Sequence, residues 1–288
     1  MKKIIFLLIA FLISLNSNVY AFTFSNFDTP ESVLCDPEDG AYYVSNINGG
    51  PADKDGNGYI SKITPNGSIV IQKFIVSKEG APLNGPKGLA IVEQTLYVAD
   101  IDAVRAFDKE TGKAGVVFDL SKYQVKFLND LTAAGNTLYV SDMFGNAIYK
   151  IDLETANITL MKQDEELGKP NGLLINPKSK NLIILAWGAG RIMEIDPSGN
   201  LHTLKDSLFG LDGIDYDNEG SLFVSSFQKG EIYKIPNYGR GELTTFLNGL
   251  TSPADISVDR KKNELLIPSF NSNTVSSVSL KKQPPDKS

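Results

Sequence analysis

The sequence predicts an all-β chain folded as a six-bladed β-propeller, with four antiparallel strands per blade and an N-terminal strand that closes the last blade. Three observations carry this. First, a short phrase recurs six times, as Pro30-Glu31-Ser32, Pro86-Lys87-Gly88, Leu128-Asn129-Asp130, Pro170-Asn171-Gly172, Leu211-Asp212-Gly213 and Pro253-Ala254-Asp255, at spacings of 56, 42, 42, 41 and 42 residues. Propeller blades run to about 40–45 residues, so a period near 42 is theirs. Second, each repeat breaks into strands of alternating polarity between Gly, Asn and Asp turns, the hairpin signal. Third, the last repeat is short by one strand, while Phe22-Thr23-Phe24-Ser25-Asn26-Phe27 alternates outside the first repeat. That segment is expected to complete the last blade and hide its edge.

The elements follow in order. In the third repeat, Asn129 to Thr132 is a first strand, Leu138 to Asp142 a second, Ile148 to Asp152 a third and Ile158 to Met161 a fourth, with turns at Gly135-Asn136 and Gly145-Asn146. The second strand recurs as Ala41 to Ser45, Leu96 to Asp100, Leu182 to Ala186, Leu222 to Ser225 and Leu265 to Ile267. The final repeat offers only Asp255 to Val258, Glu264 to Ile267 and Thr274 to Leu280. Residues 281–288 are polar and contain Pro, which predicts a disordered tail.

The 288 residues are not all fold. Met1-Lys2-Lys3 is basic, Ile4 to Leu15 is apolar but too short to span a bilayer, and Val19-Tyr20-Ala21 suits signal peptidase. Residues 1–21 read as a secretory signal cleaved after Ala21, and residues 22–280 as one propeller domain in a periplasmic or secreted protein. Without Lys2 and Lys3, 26 basic residues face 34 acidic ones, a formal charge of −8. That balance argues against nucleic acid and anionic membrane as partners, and no later segment suits membrane insertion. A small-molecule ligand is the expected partner. The single cysteine, Cys35, lies in an apolar stretch and reads as a small buried hydrophobe.

In a closed ring the equivalent positions Glu31, Lys87, Asn129, Asn171, Asp212 and Ala254 converge on the axis. The ends of the second strands, taken as Asn46, Asp100, Asp142, Trp187, Ser226 and Ser269, share that face. Glu31, Asn129, Asn171 and Asp212 supply two carboxylates and two amide oxygens, a donor set that suits calcium. Asn and Asp before Gly are also ordinary turn residues. Zinc favours Cys and His, and the one histidine, His202, falls at a fourth-strand position on the outer rim. With His202 remote, no Ser-His-Asp arrangement is offered. Lys87 would repel a metal unless its stem lifts the ammonium away. It recognises a substrate anion or pairs with Asp100 or Glu31.

Two further features stand out. Asp53-Lys54-Asp55-Gly56-Asn57-Gly58-Tyr59-Ile60 matches the first eight positions of a calcium loop, with Asp53, Asp55 and Asn57 as oxygen donors. Position twelve is Thr64 rather than Glu, so a polar hairpin loop overhanging the channel mouth is the competing reading. Trp187, the only Trp, either stacks on a ligand at the mouth or packs between blades.

At Pro30-Glu31, Asn129-Asp130, Pro170-Asn171-Gly172 and Asp212-Gly213 the chain resembles the regucalcin/gluconolactonase family of six-bladed propellers, over essentially the whole mature length. The resemblance implies a divalent metal held by Glu31, Asn171 and Asp212, with Asn129 beside it. Calcium is the first expectation, with manganese, magnesium and zinc as alternatives. It also implies substrate binding by Asn129, extended here to Asp130, Lys87 and Trp187, and a role for Asp212 as general base in lactone hydrolysis. Members acting on sugar lactones carry Arg two residues before the Asn-Asp motif, where this chain has Phe127. A metal-dependent hydrolase of lactones or related esters is therefore expected, against a non-catalytic propeller binding a small molecule or protein at the same face. Lyase or condensing chemistry on the same scaffold is a third reading.

Overall fold

A computed structural model describes residues 20–64, 70–78 and 81–281. The signal expected over residues 1–21 lies almost wholly outside these, as does the tail expected over residues 281–288.

The described chain forms six four-stranded antiparallel sheets. Strand β1, Tyr20–Ser25, precedes the blades. Blade one holds β2 Pro30–Cys35, β3 Tyr42–Asn46, β4 Tyr59–Ile63 and β5 Val70–Val76. Blade two holds β6 Pro86–Val92, β7 Thr95–Asp100, β8 Ala103–Asp108 and β9 Ala114–Asp119. Blade three holds β10 Leu128–Ala134, β11 Thr137–Asp142, β12 Ala147–Asp152 and β13 Ile158–Gln163. Blade four holds β14 Pro170–Ile175, β15 Leu182–Ala186, β16 Arg191–Ile195 and β17 Leu201–Lys205. Blade five holds β18 Leu211–Tyr216, β19 Leu222–Ser226, β20 Glu231–Ile235 and β21 Thr244–Leu247. Blade six is β22 Ser257–Asp259, β23 Glu264–Ser269 and β24 Thr274–Ser279, completed on its outer edge by β1.

The expected closing strand is thus present, two residues earlier than its alternation suggested. Phe22 to Ser25 pair in unbroken register with Ser277 to Thr274, and Phe27, past the strand, is buried. The strand also reaches the neighbouring blade. Phe22 stacks on Tyr42 at 5.9 Å, and Phe22 and Phe24 pack on a cluster that joins Val33, Tyr42 and Val44 of blade one to Leu266 and Val275 of blade six. Inside the same seam, Val33 N donates to Asp255 O at 3.2 Å and Asp255 N to Glu31 O at 2.9 Å. The ring is closed at its inner and outer edges by different parts of one chain.

The cores lie between blades, where faces of neighbouring sheets meet. One cluster joins Leu96, Val98 and Phe107 of blade two to Tyr43 and Ile60 of blade one; another joins Ile183 and Leu185 to Leu222 and Val224 across blades four and five. Cys35 is partly buried on the cluster of the closing seam, close to the expected small hydrophobe, and burial pushes its thiol up to about 12.

Removing residues 22–25 from the mature protein should expose the edge of β24 and strip the seam of two aromatics, Phe22 and Phe24. The expected result is a melting temperature lower by about 10 °C or more, with aggregation on heating. Scanning calorimetry of the mature and truncated proteins checks this, and coincident melts would show that the strand contributes nothing to closure.

Candidate functional site

The recurrent phrase sits at the start of each first strand, where the ladder is irregular. Register shifts between Pro30 and Val33, Pro86 and Leu89, Leu128 and Leu131, Pro170 and Leu173, and Leu211 and Ile214, so the ring residue of each of these five blades lies in a bulge. A bulge re-aims a side chain, and such irregularities gather beside functional sites. In three blades a serine on the second strand holds the distorted segment: Ser45 Oγ accepts from Ser32 N, Ser141 Oγ from Asp130 N and Ser225 Oγ from Gly213 N.

The glycines after Asn171 and Asp212 are not turn residues. A Cβ on Gly172 would stand 2.2 Å from Asp212 O, and one on Gly213 would stand 2.2 Å from Ile256 N. Each glycine marks a close approach between first strands of neighbouring blades. Asn171 and Asp212 are therefore strand residues aimed by packing, which removes the turn-residue explanation.

Glu31, Lys87, Asn129, Asn171 and Asp212 line one cavity of about 300 Å³ at a mouth of the channel, with Trp187. All five ring residues are buried. Glu31 Oε2, Asn129 Oδ1 and Asp212 Oδ1 have no hydrogen-bond partner among the described residues. Asn129 is oriented by Nδ2, which faces Met143 Sδ at 3.5 Å and leaves the oxygen free. The Asn171 amide lies close enough to Asp212 to favour its charged form, against the effect of burial. Leaving such atoms unpaired costs about 1–3 kcal/mol each, more when charged, so three together call for an explanation.

The electrostatics point the same way. Burial, then the charges of Asp212 and Asp255, raise the carboxyl of Glu31 well above its usual range; burial and Asp255 do the same to Asp212. Lys87 is pulled down to about 8 by burial, against the opposing pull of Glu31 and Asp100. It forms no ion pair among the described residues. Its Nζ donates to Gly85 O at 2.7 Å and sits 4.4 Å from the centre of the Phe127 ring.

Asp100 was one expected partner for Lys87, but it is committed elsewhere. It accepts from Asn84 N and Gly85 N and pairs with Arg105 Nε at 2.6 Å. Asp142 likewise accepts from Lys126 N and Phe127 N. These acids latch the loop that leads into their own blade. Asp130 also lies apart from the mouth. Its oxygens take Leu131 N at 2.7 Å and Leu173 N at 2.6 Å, tying blade three to blade four, and it lines a cavity of about 270 Å³ with Asp255 and Arg260. Burial raises Asp130 to about 7.

The Asp53–Asn57 segment turns in on itself. Asp55 accepts from the backbone N and the Nδ2 of Asn57, Lys54 pairs with Asp102, and Gly56 N donates to Asn84 Oδ1. Among the described residues no group of three or more His, Cys, Asp and Glu is placed to hold a metal. The ring is of another composition, two carboxylates with two amides. Pro51, in the same loop, lines the mouth, so the segment does overhang it. His202 is exposed on β17, on the outer rim.

Trp187 does not end its strand. Pro170 pairs with Ala186, as Pro30 pairs with Asn46 and Leu211 with Ser226, so Trp187 is one residue further on. Its equivalents are Ile47, Ile101, Met143, Phe227 and Phe270. Reading the blade ends one residue later would have shown six apolar side chains in sequence.

No protein-family model matches the chain, and no curated protein matches it. Among solved structures it is similar to a catalytically inactive variant of virginiamycin B lyase from Staphylococcus aureus, solved with quinupristin, at 15% identity and a TM-score of 0.63, covering 90% of this chain and 99% of that one. It is also similar to a Bacteroides thetaiotaomicron protein of unknown function, at 13% identity and a TM-score of 0.68, covering 92% and 72%. A chain of a nidogen/laminin complex matches at 17% identity and a TM-score of 0.63, covering 75% and 79%. At these identities the likeness is one of fold.

If the unpaired oxygens await a cation, calcium at a hundred times its dissociation constant contributes about 2.7 kcal/mol and raises the melting temperature by roughly 5–10 °C. Glu31→Gln should abolish most of that rise. Differential scanning fluorimetry with calcium and with chelator decides the point; identical melts would contradict it.

Proposed function

We propose that the chain is an exported, divalent-metal-dependent hydrolase of lactones or related esters, acting at the mouth lined by Glu31, Lys87, Asn129, Asn171 and Asp212. The observation that carries this is the convergence of three buried, unpartnered oxygens from Glu31, Asn129 and Asp212. The resemblance of the four motifs to the regucalcin/gluconolactonase family supports the same reading.

The donor set fits a hard cation. Glu31, Asn171 and Asp212 would hold it with Asn129 adjacent, and calcium suits an all-oxygen site of modest charge better than zinc does. When bound, the metal supplies Lewis-acid polarisation of the scissile carbonyl. The remaining work falls to the chain. Asp212 takes the proton from the attacking water as the acyl–oxygen bond opens and an alcohol and a carboxylate form. The Asn129 amide orients the ester oxygens, and burial of all five ring residues keeps bulk water from the carbonyl. The Lys87 ammonium, held by Gly85 O, faces the carboxylate product. Lyase chemistry of the neighbour's kind finds less support: that enzyme is inactivated by one His→Ala change, and the only histidine here lies on the rim.

Asp212→Asn keeps the shape and an oxygen donor but removes the charge and the base. Hydrolysis of γ-butyrolactone and aryl acetates by the calcium-loaded protein should fall by about 10²–10⁴-fold while the circular dichroism spectrum persists. No turnover by the wild type with calcium, manganese, magnesium or zinc would leave the non-catalytic binding propeller as the reading.

A further inference from the structure

Above the polar floor, the mouth is walled by the residues that directly follow the second strands: Ile47, Met143, Trp187, Phe227 and Phe270. Each is fixed by the same backbone bond. Its N–H donates to the carbonyl two residues before the ring position of its own blade, to Thr29, Phe127, Lys169, Gly210 and Ser252 in turn, at 2.8–3.1 Å. Floor and wall are therefore built as one unit five times over, and the sixth equivalent, Ile101, is buried.

The wall is uneven. On blades four to six the side chains are aromatic and in contact, Trp187 to Phe227 at 5.5 Å between ring centres and Phe227 to Phe270 at 5.4 Å. All three are only half-buried, so an apolar arc faces the open cavity. On neighbouring blade three, Phe127 and Phe144 also line the cavity, tilted against each other at 4.9 Å, with the Lys87 ammonium 4.4 Å from the centre of the Phe127 ring. A ligand reaching the floor passes these largely apolar surfaces, with Lys169 also lining the cavity, over the Phe144 ring. A sugar-like molecule, with hydroxyl groups on every side, would leave them unpaired there.

We infer that the site takes small amphiphiles, in which a compact oxygen-bearing head such as a lactone or ester carbonyl sits on the floor and an alkyl or aryl tail lies along the Trp187–Phe227–Phe270 arc. The inference rests on the floor being the reacting site proposed above, but it concerns the tail, and the two are separable by experiment. The cavity is at the small end of ligand sites, which fits a tail of a few carbons and not a polymer.

Trp187 is the only tryptophan and belongs to the arc, so its fluorescence reports occupancy without turnover. The probes are γ-lactones with side chains of zero, two, four and six carbons, titrated into the full mature protein with calcium. Burial of each methylene should tighten binding by about fourfold until the arc is covered. A variant carrying Phe227→Ala and Phe270→Ala should lose most of that slope, with circular dichroism reporting its fold. Should it fail to fold, the wild-type series still decides. Affinity independent of tail length overturns the inference, whether or not the lactones are hydrolysed. A steep dependence without any hydrolysis upholds it and removes the hydrolase reading instead. Co-sedimentation with phosphatidylcholine vesicles together with a flat lactone series would also overturn it, in favour of a membrane-docking rim.

Discussion

Closing six blades into a ring stands their first strands side by side around one axis, with little room for ordinary side-chain packing. The seam between blades six and one carries this constraint most visibly, with β1 on the outer edge and the Glu31–Asp255 backbone bond on the inner one. Inside, glycines at 172 and 213 let neighbouring strands approach, and bulges turn Glu31, Asn129, Asn171 and Asp212 toward the mouth. The outcome is an axis lined by buried carboxyls, Glu31 and Asp212 at the mouth with Lys87, and Asp130 and Asp255 in the second cavity, all four raised chiefly by burial. Such a balance lowers stability unless something else enters, and a functional site is where proteins tolerate that cost.

Much of the fold was legible because a period near 42 residues needs no detail to be seen. The missing strand of the last repeat and the spare alternation before the first pointed at closure, and the register of β1 on β24 bears this out, displaced by two residues. The convergence of the ring was legible for the same reason. Side-chain commitments were not. Nothing in the sequence says that Asp100 and Asp142 are consumed by loop amides or that Asp130 ties two blades together. Those partners lie in other strands and loops, and only their placement in space brings them within reach.

The misplacement of Trp187 has a local cause. Blades one to three end their second strands on Asn46, Asp100 and Asp142, whereas blade four has Ala186 there and its next distinctive side chain, Trp187, one residue further on. Pairing of Pro170 with Ala186 corrects the register and turns an isolated tryptophan into one member of an apolar series. Phe127, which stands where sugar-lactone members of the resembled family carry Arg, lines the same cavity. The floor is lined by the polar side chains of Glu31, Lys87, Asn129, Asn171 and Asp212 while much of the wall above it is apolar, a division that separates the chemistry proposed for the head from recognition of the tail.

The central claim is that the ring at the channel mouth is a cation site. Crystals of the mature protein soaked in manganese, with data collected near the manganese absorption edge, test it most directly. An anomalous peak among the oxygens of Glu31, Asn129, Asn171 and Asp212, lost in Glu31→Gln, is the result this account requires. No peak there, or one only at the Asp53–Asn57 loop, would contradict it.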